Sequence, residues 1–357
     1  MAFKKLTFII YDGISNSVFT SQVLKPLLNL LQEDNNIEIN LISFEKTRPT
    51  NKFLLKLIPA HDRLHFILCR RLPFVGKFTL NFAIFQLIKL FTIIEHGNII
   101  ARGPLAGLVA QQTLNKIYKN RNHNTILTIQ ARGLCAEEYR YTYQDLKENF
   151  IIKKYRKYIY KKLLKIEQQA YKQQIKNKFI KKIESVSPAL KEYLATTFKA
   201  SRSKIEIAQK DLPQKINFEQ IKIWRQEVRK QLNISENQTV YCYSGSYKPW
   251  QCIPEIIEYF LEQYKINQNS FLLLLSPDKQ DLIYLLKTKN IPDKNYIIIN
   301  SNYSDLYKYM AASDIGLLFR DKDIINWVSR PTKMLEYQTI GLKIVHNNTI
   351  ELLDNQN

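Results

Sequence analysis

Short, unbroken apolar runs limit what this chain can fold into. Leu6–Tyr11 (LTFIIY), Ile37–Phe44 (IEINLISF), Asn98–Arg102 (NIIAR) and Thr125–Gln130 (TILTIQ) fall in the first half. Thr239–Ser244 (TVYCYS), Phe271–Ser276 (FLLLLS), Tyr296–Asn300 (YIIIN), Ile315–Arg320 (IGLLFR) and Lys343–His346 (KIVH) follow in the second. A strand apolar on both faces needs cover on both, the condition of a parallel sheet between layers of helices. Ser17–Leu31, Asp305–Ala312 and Pro331–Ile340 carry helical spacing between such runs. Strand and helix therefore alternate in two blocks, which predicts two doubly wound α/β domains. A polar stretch from Ser203 to Lys222, carrying Pro213, separates them, so we divide the chain into residues 1–205 and 206–357. A length of 357 residues also exceeds what one core usually serves. Open α/β sheets bind ligands at the carboxyl ends of their strands, so a cleft between two such domains is the expected site.

Charge narrows the partners. The formal net charge is +21, with 53 Lys and Arg against 32 Asp and Glu, which favours anionic ligands or surfaces. The four cysteines, Cys69, Cys135, Cys242 and Cys252, form no C-x-x-C pair, so neither a zinc site nor a disulfide framework is indicated and a reducing compartment is expected. Leu6–Tyr11 is too short for a signal h-region, and Phe78–Ile94 is broken by Asn81, Gln86 and Lys89, whereas a membrane span needs about twenty apolar residues. The expectation is a cytoplasmic protein able to lie on a membrane. No nucleic-acid-binding fold or aromatic platform appears, so nucleic acid is not an expected partner.

The most informative segment runs from Asp314 to Gly341, DIGLLFRDKDIINWVSRPTKMLEYQTIG. A strand is expected to end at Arg320, a polar loop to follow, and Pro331 to open a helix, since a proline suits the first helical position. Backbone donors at Thr332 and Lys333, with the helix dipole, make an anion site, and Lys333 adds a full charge. Glu336, one turn on, is placed to accept hydrogen bonds from vicinal hydroxyls such as those of a ribose. The competing reading is a capped surface helix with an i,i+3 pair between Lys333 and Glu336.

This run, D-I-G-L-L-F-R … N-x-V-S-R-P-T-K-M-L-E-Y … G-L-K-I-V, resembles the donor-binding region of family-4 glycosyltransferases of the GT-B fold. Tyr243-Ser244-Gly245-Ser246 matches the family's glycine-bearing loop against the donor phosphates, with Lys248 just after it. Ile99–Gly107, Thr128–Glu138, Glu167 ahead of Ser185–Leu190, and Ser313-Asp314 follow in the family's order, so the resemblance spans most of Leu6–Val345. It implies two Rossmann-like domains facing across a cleft and a retaining transfer of sugar from a nucleotide-diphosphate donor. The implied acceptor is a saccharide or a lipid-linked molecule at the cytoplasmic membrane face, and neither metal nor cofactor is implied. Implied donor residues are Gly245, Ser246, Lys248, Arg320, Asn326, Ser329, Pro331, Thr332, Lys333 and Glu336. Gly13 and Arg102 fall on the acceptor side, and Arg132 and Lys333 are the residues expected to assist catalysis.

The chain departs from the pattern in three places. Many members carry a second glutamate eight positions before the one matched by Glu336; here that position is Val328, leaving Asn326, Ser329 or Arg320 to serve. Gln130 stands where a catalytic His or Asp often ends a strand, and it cannot act as a base. The sequence also stops at Asn357, short of the family's closing helices. These departures leave an inactive or truncated relative that binds membranes or a partner as the alternative. Arg102 and Arg132 either bind a phosphate or pair with Glu137 or Glu138. Gly13 either touches a ligand or only makes a turn, and Lys248 either binds diphosphate or faces solvent. Trp250 and Trp327 are read as core or lid residues, and His61 and His65 as surface groups on one helical face.

Basic charge is concentrated in Ile151–Lys182, which holds twelve Lys and Arg and one acid, Glu167. Tyr155, Ile159, Leu163, Ile166 and Ala170 recur at helical spacing within it, and Asn51–Leu90 mixes Leu54, Leu55, Leu57, Ile58 and Phe74 with Arg70 and Arg71. A basic amphipathic helix can lie on anionic lipid, so an anionic membrane surface joins the expected partners; the alternative is a core-facing stripe with a solvated lysine face.

Overall fold

A computed structural model describes residues 3–16, 19–73, 76–119, 123–172, 178–209, 215–302 and 305–354. Phe74 and Pro213 lie outside these, as do residues 173–177 of the basic stretch. The chain divides into two compact units, Met1–Asp211 and Leu212–Asn357.

In the first unit the strands are β1 (Lys4–Ile10), β2 (Ile37–Glu45), β3 (Leu64–Arg70), β4 (Asn98–Arg102), β5 (Ile126–Ala131), β6 (Ile180–Ser185) and β7 (Ile205–Ile207). All pair in parallel, in the order β3-β2-β1-β4-β5-β6-β7. The second unit holds β8 (Thr239–Ser244), β9 (Ser270–Leu275), β10 (Tyr296–Ile299), β11 (Ile315–Leu318) and β12 (Lys343–His346), parallel in the order β10-β9-β8-β11-β12. The middle strands of both sheets are buried on both faces, as their unbroken apolar runs require. In the second unit one core cluster lies on each side of the sheet: Val240, Cys242 and Leu273 point to one, Tyr241, Tyr243 and Leu272 to the other. Chain order reverses at β1/β4 and again at β8/β11, so each sheet has one switch point where the loops part and a crevice opens.

Three strands escaped the sequence reading because their composition is not strand-like. β3 (LHFILCR) and β6 (IKKIES) carry cations, and β7 is three residues long. His65 therefore sits on the edge strand β3, 3.1 Å from Glu38, rather than sharing a helix face with His61. Asn51–Leu90 is not one amphipathic element but a helix (Asn51–Leu57), β3 and a second helix (Lys77–Phe91). The basic helix spans Phe150–Tyr171 and stops there. Beyond it Lys181 is buried in β6, its ammonium donating to the carbonyls of Ala170 and Lys172, and burial pushes its pKa down to about 7. Ile159, Leu163, Ile166 and Ala170 face the core, but Tyr155 is exposed.

Candidate functional site

The switch point of the second sheet is built by one tyrosine and one glycine. β8 and β11 pair only at Ile315 with Tyr241 and Gly316 with Cys242, and beyond that the strands splay. The Tyr337 hydroxyl fills the gap. It accepts from the Ser244 amide at 3.0 Å and lies 3.3 Å from the Cys242 carbonyl and 3.4 Å from that of Leu317. The Thr332–Ile340 helix carries Tyr337 and can come this close because residue 316 is glycine; a Cβ there would lie 2.4 Å from the Tyr337 ring. Pro331 is the N-cap with extended backbone, one position earlier than expected, and Thr332 is the first helical residue. Gly341 ends the helix in the left-handed conformation that glycine adopts without strain.

Three charged groups converge at this end of the sheet, Arg320, Lys333 and Glu336, exposed by 9%, 7% and 5%. The Lys333 ammonium is bonded to the Gln251 Oε1 at 2.7 Å and lies 4.1 Å above the Tyr243 ring. Burial, and then the neighbouring Arg320, holds its pKa well below that of a free lysine. Arg320 reaches the Trp250 carbonyl at 3.5 Å with one terminal nitrogen, while its Nε is buried without a partner. Its amide and carbonyl are clasped by the Asn347 side chain, at 3.1 and 2.8 Å. Neither cation has an ion-paired carboxylate among the described residues. The Glu336 carboxylate accepts no hydrogen bond from them, and burial raises its pKa to about 7, partly offset by Lys333. The surface-helix reading is therefore excluded: Lys333 and Glu336 are both buried.

Gly245 supplies the opening. Its φ of +138° is available to glycine, and a Cβ there would meet the Lys333 Nζ and the Tyr243 hydroxyl, each at 3.2 Å. The Tyr243 hydroxyl in turn donates to the Ser246 carbonyl at 2.9 Å, which shapes the loop after β8. Lys248 is exposed and forms no ion pair among the described residues; the ammonium packed against Gly245 is that of Lys333. Asn326 and Ser329 build the loop before the helix: the Asn326 amide donates to the Asp321 carbonyl at 2.9 Å, and the Ser329 hydroxyl to the Asn326 carbonyl at 2.8 Å. Val328 is fully buried. Trp250 is half-buried and Trp327 exposed. Asp314 lies at the opposite end of β11 and is structural, bound by Arg225 at 2.6 Å, Arg229 at 2.9 Å and the Val240 amide at 2.8 Å.

In the first unit Gly13 lies just past β1 and Arg102 ends β4, the two strands of its switch point. Gly13 has a φ of +81° and is packed on the Glu45 carboxylate, which accepts from the Ile14 amide at 2.9 Å, so a turn built around a buried acid explains this glycine. Arg102 donates to the Gln22 side chain. Arg132, just past β5, lies 3.9 Å from Glu184, and Gln130 donates to the same carboxylate at 3.4 Å. Glu137 is instead engaged by Arg140 and Tyr160, at 2.6 and 2.7 Å. Glu167 accepts the Cys135 and Ala136 amides, at 2.7 and 3.2 Å, and so caps the Cys135–Tyr143 helix from another element. Sequence reasoning missed Gln251, Tyr243 and Tyr337 as site residues; the only signal was their adjacency to the motifs already noted.

No family model matches the sequence, and no curated protein matches it. Solved structures do. WaaG, a glycosyltransferase involved in lipopolysaccharide biosynthesis, is 15% identical with a TM-score of 0.61 over 97% of this chain and 81% of its own. A glycosyltransferase from Rickettsia africae is 13% identical with a TM-score of 0.62, over 99% and 82%. Sucrose-phosphate synthase from Thermosynechococcus elongatus is 13% identical with a TM-score of 0.64, over 98% and 82%. Two parallel-sheet, Rossmann-like α/β units in this order are the fold of the GT-B glycosyltransferases.

Proposed function

We propose that this chain is a retaining glycosyltransferase of the family-4 kind, moving a sugar from a nucleoside-diphosphate donor to a saccharide or lipid-linked acceptor at the cytoplasmic face of a membrane. The observation that carries the reading is the pair of buried cations, Lys333 set against Gly245 and Arg320 beside it, without an ion-paired carboxylate among the described residues. Burying an unpaired charge is costly, and a donor diphosphate seated on the Gly245 loop compensates both cations. Glu336, whose carboxylate accepts no hydrogen bond from the described residues, accepts the ribose hydroxyls. As the bond between the anomeric carbon and the diphosphate oxygen breaks, charge grows on the leaving oxygen. Fixed cations are worth most in such a water-poor setting. The acceptor oxygen forms the new bond to the anomeric carbon and passes its proton to the departing diphosphate oxygen.

In this reading Gly13 and Arg102 serve the acceptor, Arg132 assists catalysis, and neither metal nor organic cofactor takes part. WaaG, with the same fold, acts in lipopolysaccharide biosynthesis, which supports a saccharide acceptor. Titration calorimetry with a panel of nucleoside diphosphates is the test. Binding by one of them that weakens in Glu336→Gln supports the proposal; no binding by any nucleotide removes it.

A further inference from the structure

The first half of the Phe150–Tyr171 helix is turned outward. Phe150 and Ile151 are 78% and 76% exposed, and Ile152, Tyr155 and Tyr158 are exposed beside them. Ile151, Tyr155 and Tyr158 recur at i, i+4 and i+7, so they form one stripe. Lys154, Lys161 and Lys165 run along the outward face next to it. None of Lys153, Lys154, Lys157, Lys161 and Lys165 makes an ion pair among the described residues, and the helix's one acid, Glu167, is buried on the opposite side capping its neighbour. Beside the helix opens a cavity of about 400 Å³, walled by Tyr139, Tyr143 and Tyr160 with Lys153, Arg156 and Lys157. Arg156 lies over the Tyr143 ring at 3.5 Å and is bound by Glu148, so its plane is fixed; Lys153 and Lys157 remain for a ligand.

A solvated lysine helix has no use for a phenylalanine and an isoleucine at its tip, and a protein-binding patch has little use for five unpaired lysines around them. An anionic bilayer uses both: apolar side chains enter the headgroup boundary while the cations meet lipid phosphates. We propose that this helix seats the protein on an anionic phospholipid surface, with Phe150 and Ile151 inserted and lipid phosphates held by Lys153 and Lys157 at the cavity mouth. No helix among the described residues is long and apolar enough to cross a membrane, so the contact is a surface one. The inference deepens the membrane part of the reading above and names the partner surface, but uses none of the residues of the nucleotide site.

Flotation of the full chain with vesicles tests it, comparing phosphatidylcholine alone with phosphatidylcholine mixed with phosphatidylglycerol. The expected result is binding to the mixed vesicles only, abolished in Phe150→Asp/Ile151→Asp and weakened about fivefold for each lysine removed in Lys154→Ala/Lys161→Ala. Both apolar positions are exposed, so the variants should unfold at the wild-type temperature and bind nucleoside diphosphate as the wild type does. Equal flotation with neutral vesicles, wild-type flotation of the aspartate variant, or a dimer that the aspartate variant dissolves would overturn the proposal; the last would assign the face to a second copy. Steady oligonucleotide binding lost in the lysine variant, with no vesicle binding, would equally overturn it. A chain that floats but binds no nucleotide would sink the transferase reading and leave this one standing.

Discussion

Gly316→Ala is the sharpest test of how the donor site is built. The added methyl would lie 2.4, 2.6 and 2.8 Å from three carbons of the Tyr337 ring. Carbon atoms rest at about 3.5–4.0 Å, so the ring must retreat by about 1 Å. It has nowhere to go, because Tyr337 is fully buried in the core between the sheet and its helix. Overpacking of this kind costs about 1–3 kcal/mol. The retreat also pulls the hydroxyl from the Ser244 amide, leaving a buried donor unmade at a further cost of about 1–3 kcal/mol. Together the expected loss is about 2–6 kcal/mol, read as a lower urea midpoint with an unchanged slope. Tyr337→Phe alone should lose only the hydroxyl part. In the double variant the two costs should fall short of additivity, since the Ser244 bond is lost once. A Gly316→Ala protein that unfolds at the wild-type midpoint would refute the argument that residue 316 sets the helix against the sheet.

Further outcomes follow from the same geometry. Lys333→Met should weaken nucleoside-diphosphate binding about 10- to 150-fold in calorimetry, the worth of a hydrogen bond to a charged group, with little change in fold. Nucleotide binding should weaken as pH falls through about 7, because Glu336 then becomes protonated and loses acceptor capacity, and Glu336→Gln should flatten that limb. Glu167 binds its proton more tightly folded than unfolded, its pKa rising from 4.5 to about 7 by burial. Its contribution should therefore cost about 3 kcal/mol of stability as pH rises from about 4.5 to 7, a slope that thermal unfolding should find reduced in Glu167→Gln. Asp314→Ala should cost about 3–5 kcal/mol by urea unfolding, because it takes the paired carboxylate from the buried Arg229 guanidinium and leaves it backbone carbonyls alone.

Apolar runs were legible in the sequence: β8, buried on both faces, falls on the predicted residues, since a two-sided strand leaves an unbroken hydrophobic signature, and so do β4 and the half-exposed edge strand β12, whose short apolar runs read the same way. β3 and β6 were not, because strands at or near a sheet edge tolerate cations whose charge is satisfied by distant groups. Lys181, held by two carbonyls of the preceding helix and its cap, reads in sequence as one more lysine of a basic run. Gly245 and Arg320 were named only through the resemblance to the family's donor loop; Lys333 and Glu336 could be named from the Asp314–Gly341 segment, because a proline and charges one turn apart mark a helix start locally. Their chemistry could not. That Lys333 turns to Gln251 and Tyr243 rather than pairing with Glu336, that Asp314 braces Arg225 and Arg229, and that Gly13 rests on Glu45 depend on groups 32 to 90 residues away in the numbering of the chain. Local sequence sets backbone preference and which face is apolar; the charge state and reach of a side chain are set by what folding brings beside it.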